Sequence, residues 1–79
     1  MNNEFVHKIL SEKITKNKEI IKIRIDDVNL SIQDTCDFIR IAKKELEEMG
    51  YKIYSAGKKY IVKNKEFVVG NGEVIVAVK

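Results

Sequence analysis

The chain contains no proline and no tryptophan, one cysteine, one histidine and four glycines among 79 residues. Each scarcity removes a class of protein. The single cysteine, Cys36, closes no internal disulfide, whereas small secreted domains usually carry several, so a cytoplasmic location is expected. His7 and Cys36 have no further ligand at metal-binding spacing, so neither a metal site nor a cofactor is predicted. Charged residues make up 34% of the chain and no apolar run approaches the length of a bilayer span, which argues against a membrane protein. The stretch MNNEFVHKILSEK scatters its charges and lacks an apolar segment with a small-residue cleavage site, so no signal peptide is expected.

What remains is a globular composition, 44% apolar. A chain of this length buries only about 60% of the surface its unfolded form exposes, which supports one core and no two-domain cleft. Thirteen of the fifteen basic residues are lysine, and Ile, Asn and Glu are abundant. That usage resembles the products of AT-rich genomes and the small accessory proteins of phages and mobile elements.

Hydrophobic periodicity divides the chain into alternating elements. Phe5, Val6, Ile9, Leu10 and Ile14 recur at helical spacing over residues 4–16. Residues 19–26 switch to period two, with Ile21, Ile23 and Ile25 on one face of a strand and Lys22, Arg24 and Asp26 on the other. Ser31, with Asp34 three residues on, opens a helix of about eighteen residues that Gly50 closes. Its predicted apolar face is Ile32, Cys36, Ile39, Ala42, Leu46 and Met49, widened by Phe38 and Ile41. Tyr51–Tyr54 and Lys59–Val62 flank Ser55-Ala56-Gly57-Lys58 and read as a β-hairpin. Asn64-Lys65 and Gly70-Asn71-Gly72 signal further turns around a short strand at 67–69. The continuous apolar run 74–78 suits an interior strand. The expectation is one α+β domain over residues 1–79, in the order α-β-α-β-β-β-β. Its long central helix packs on a mixed, mostly antiparallel sheet, and the opposite sheet face is left free or covered in part by the first helix.

Catalytic readings find little support. Cys36 falls on the predicted apolar stripe, where a free cysteine packs as a small hydrophobe. Asp26-Asp27 at a strand end fits a turn in which aspartate bonds nearby backbone N–H groups better than a magnesium site, because no third acid stands at a telling distance. Gly57-Lys58 lacks the earlier glycine and the following hydroxyl residue of a phosphate-binding loop, and no helix follows Gly70-Asn71-Gly72 as a dinucleotide fingerprint requires. The passage KELEEMGYKIYSAGKKYIV resembles part of the HicA-type mRNA-cleaving toxins. That family places a catalytic histidine just past the hairpin glycine, where this chain has Lys58-Lys59-Tyr60, so the resemblance carries no activity across. No catalytic residue is assigned, and the protein is expected not to be an enzyme.

Charge is the informative feature. The formal net charge is +3, but residues 51–65 hold five lysines and no acid, a local +5, while residues 31–50 hold three bases and five acids, a local −2. All three tyrosines, Tyr51, Tyr54 and Tyr60, fall in the same basic segment. Pairing Tyr54 opposite Lys59 places Lys52, Tyr54, Lys59, Ile61 and Lys63 on one hairpin face with Lys58 at its tip, and Lys22 and Arg24 would extend the patch. Lysines that neutralise phosphates around an aromatic that stacks on a base are what sequence-tolerant nucleic-acid binding requires. Edge protection by lysine accounts for the same charges without a ligand. The rival function is a protein-interaction module that docks Tyr54 and Ile61 on an acidic partner and inhibits or regulates a host protein. Homodimerisation through a strand edge is a third use of this surface.

Overall fold

The computed structural model describes residues 2–79. Its elements are α1 (Asn3–Lys16), β1 (Ile20–Arg24), α2 (Ile25–Val28), α3 (Ile32–Glu48), β2 (Lys52–Ser55), β3 (Lys59–Val62), β4 (Lys65–Val68) and β5 (Glu73–Val78). The α+β class and the element order agree with the sequence, with one added helical turn, α2. Among the described residues no helix is long and apolar enough to cross a membrane.

The described residues form two sheets rather than one. The main sheet has the order β1-β5-β2, and both neighbours run antiparallel to β5, so β1 and β2 are parallel to each other on either side of it. β3 and β4 form a separate antiparallel hairpin. The expected pairing of β2 with β3 does not occur. Their connection instead carries the chain from one layer to another. Gly57, at φ +81°, donates its N–H to the Val69 carbonyl at 3.0 Å, and Val69 donates back to Lys58 at 2.9 Å, which closes the base of the β3–β4 hairpin.

The hairpin lies on one face of the main sheet and the helices on the other. On the helical face, Ile21 and Ile23 of β1, Ile75 and Ala77 of β5, and Tyr51 pack against Val6 and Leu10 of α1 and Phe38, Ala42 and Leu46 of α3. The Phe5 and Phe38 rings meet edge to face at 6.2 Å, a favoured aromatic geometry. On the opposite face, Val76 is covered by Tyr60 and Val69, with Ile20, Tyr54, Val62 and Val78 around them. The sheet face expected to be free is thus roofed by the hairpin, and α1 shares the α3 side. This double coverage explains why β5 reads as an uninterrupted apolar run: Val76 needs burial as much as Ile75 does.

Local chemistry fixes the ends. Ser31 Oγ accepts from Asp34 N at 3.2 Å and starts α3, and Gly50 at φ +93° ends it. β1 stops two residues earlier than period two suggests, because the Asp27 carboxylate accepts from Arg24 N at 2.8 Å and turns the chain into α2. Ile25 therefore leaves the core face and is 50% exposed. The buried line of α3 also differs from the predicted stripe, since it follows Phe38, Ala42 and Leu46 while Cys36, Met49 and Ile32 (88% exposed) are outside. Cys36 lies roughly 160° around the helix from Phe38. Burying the larger ring turns the thiol to the surface, which corrects the packing role expected for it.

Candidate functional site

The tip of the β3–β4 hairpin stands over the end of the main sheet where β1 begins, and a cleft of about 310 Å³ opens between them. Its floor is apolar, formed by Ile20, Tyr60 and Val62, with Phe67 at one side. Tyr60 and Phe67 face each other across the hairpin in register and stack with ring centroids 5.5 Å apart. Phe67 remains 39% exposed. Lys22 of β1, Lys63 of the hairpin turn and Lys65 of β4 edge the same space. The Lys22 ammonium lies 5.8 Å from the Phe67 ring centroid, within cation–π range. Among the described residues none of these three lysines enters an ion pair. A second hollow under the tip shares Ile20, Val62 and Lys63 with the first and extends to Val78.

The turn that carries Lys63 is tight. Val62 pairs with Lys65, leaving Lys63 and Asn64 as a two-residue loop with φ of 52° and 65°. Two successive positive φ values define the hairpin turn whose twist matches its strands. Asparagine tolerates that region, but lysine does so only at a cost, and here the strained residue is one that edges the cleft.

The structure separates the residues that the sequence had grouped. Lys22 and Lys63 meet at the cleft. Lys52 and Tyr54 share that sheet face, but on β2, across β5 from β1. Tyr54 is not the exposed anchor expected of it, because it is half-buried with its ring 5.6 Å from that of Tyr60. The ammonium of its neighbour Lys52 lies 6.0 Å from the centroid of the Tyr54 ring. Lys59 and Ile61 lie on the outer face of the hairpin, where Lys59 pairs with Glu66 at 3.5 Å, and Ile61 also borders the second hollow. Ile61 (67% exposed) and Val68 (51%) share this outer face. Lys58 sits in the exposed connection between β2 and β3, and the Arg24 guanidinium rests against Gly72 at the other end of β1.

Lys65 and Phe67 were not singled out in the sequence. The alternation of β4 carried the signal, since a strand that pairs Phe67 with Tyr60 must turn Lys65 to the same side. Lys79 borders the second hollow, but its ammonium donates to the Met49 carbonyl at 3.1 Å and lies over Tyr51, so it caps α3 instead of edging the cleft. No protein-family model, curated protein or solved structure matches this chain.

Proposed function

We propose that this protein is a non-catalytic binding module of phage or mobile-element type that holds single-stranded nucleic acid in the cleft between hairpin and sheet. The observation that carries this reading is the placement of Lys22, Lys63 and Lys65, free of ion pairs, around an apolar floor with Phe67 half-open at its side. Unpaired ammonium groups attract phosphates, and the exposed part of the Phe67 ring gives a base an aromatic surface to pack against. A duplex keeps its bases stacked on one another and offers none to Phe67, so a single strand is preferred.

The test is a fluorescence anisotropy titration with a labelled oligonucleotide at low salt. Changing Lys22, Lys63 and Lys65 together to Glu is expected to abolish binding, whereas Lys59→Ala on the outer hairpin face changes affinity less than about twofold. Binding that survives the triple change, or an absence of binding by the parent to any strand, sinks the proposal. Survival of the triple change together with loss on Lys59→Ala would put the strand on the outer hairpin face instead of in the cleft.

A further inference from the structure

Among the described residues Glu19 is the one acid lining a cleft otherwise edged by lysines. Among the described residues its carboxylate enters no ion pair. Its backbone is held from both sides, because its N–H donates to Asn17 Oδ1 at 2.9 Å and its carbonyl accepts from Lys79 N at 2.9 Å. Asn17 lines the same cleft, and its Oδ1 also accepts from Ile20 N at 3.2 Å. The carboxamide oxygen is therefore committed to the backbone, and the nitrogen is the end of that group left to donate elsewhere. Asn17 and Glu19 thus line the same cleft from one short, hydrogen-bonded turn, one with an amide N–H to donate and the other with a carboxylate to accept. An apolar floor lies below them and Phe67 to one side.

A carboxylate is matched best by two parallel N–H donors, one for each oxygen. Among the common bases only guanine offers such a pair on its Watson–Crick edge, N1–H and N2–H, with the O6 acceptor next to them. Adenine and cytosine set one amino group beside a ring nitrogen that repels a carboxylate. Thymine and uracil offer one N–H between two carbonyl oxygens. A cleft of about 310 Å³ is at the small end of ligand sites and suits one ring system.

We infer that the cleft takes one unstacked guanine of a single strand. Glu19 accepts from N1–H and N2–H, Asn17 donates to O6, Phe67 packs against the base, and the three lysines hold the flanking phosphates. This inference rests on the single-strand reading of the same cleft and adds its base selectivity.

Thymine oligonucleotides of about nine nucleotides, with guanine, inosine, adenine, cytosine or thymine at the centre, test it by anisotropy. Inosine keeps N1–H and O6 but lacks the N2 amine. The guanine probe is expected to bind about tenfold more tightly than the inosine probe, in deoxyribose and ribose forms alike, because the selecting contacts are to the base. Glu19→Gln is expected to bring that ratio to about one while the all-thymine probe still binds, since the change removes a negative charge from beside the phosphates. Equal binding of guanine and inosine probes by the parent overturns the guanine assignment and leaves the single-strand reading standing. A guanine preference that persists in Glu19→Gln overturns the role of Glu19. Failure of every probe to bind overturns both readings. Free guanosine monophosphate is expected to compete at least about tenfold more weakly than the guanine strand, because it lacks the flanking phosphates. Equal competition would overturn the strand in favour of a free nucleotide.

Discussion

Asp27 shows how one side chain ends a strand, starts a helical turn and ties two elements together. Its carboxylate accepts from Arg24 N at 2.8 Å and from Lys13 Nζ at 3.0 Å, which anchors α2 to α1. The backbone N–H of Arg24, with Lys13 behind it, holds the Asp27 carboxyl below its ordinary value of 3.8, and partial burial opposes this only in part. A depressed carboxylate pKa stabilises the fold above the unfolded value, and the contribution is lost as pH falls through the folded value. The parent is therefore expected to unfold at a higher temperature than Asp27→Asn at neutral pH, and the difference should close as pH falls through the folded value. A gap that stays constant down to strong acid would show that the charge of Asp27 contributes nothing. The turn chemistry of this aspartate was legible in the sequence, because Asp at a strand end bonds to nearby backbone N–H groups. Its partner Lys13 was not, because that contact joins residues on separate elements.

At the scale of elements, the hairpin puts a strained residue at the edge of the cleft. Lys63 adopts φ 52° at a position where glycine or asparagine would be relaxed. Lys63→Gly is expected to raise stability by up to about 1 kcal/mol in denaturant titration, the relief of the left-handed penalty being offset in part by glycine's greater unfolded entropy. The same variant should bind oligonucleotide more weakly, because one of the three cleft lysines is gone. Stability and affinity that fall together would mean that Lys63 is only structural. The positions of the turns and the helix caps were readable from Ser31, Gly50, Gly57 and Asn64. Strand partners were not, because the period-two pattern of β2 satisfies pairing with β3 or with β5 equally well. β5 decided the outcome, since a strand apolar on both faces needs a neighbour at each edge and a cover on each side.

For the whole molecule, the local +5 of residues 51–65 does not form one patch. Lys63 and Lys65 turn to the cleft, Lys59 pairs with Glu66 outside it, and Lys52 lies on the strand at the opposite sheet edge. A binding site that uses three lysines should give a slope of about −2 in log affinity against log salt for a single strand. A slope near −4 would mean that the whole basic segment contacts the strand and that the cleft is not the site.

The sequence by itself determined the α+β class, the order of the elements, the caps of α3, the interior nature of β5 and the concentration of lysine after Gly50. These follow from interactions within a few residues, where periodicity, caps and turn geometry act. Only the tertiary structure decided that the hairpin folds over the sheet, that Tyr54 is half-buried and Cys36 exposed, and that Glu19 just before β1 and Lys22 within it line one cleft with Lys63, Lys65 and Phe67. The physical reason is that both faces of β5 must be kept from water. The chain meets that demand by layering helices, sheet and hairpin, and the cleft is the gap where the last of those layers does not close.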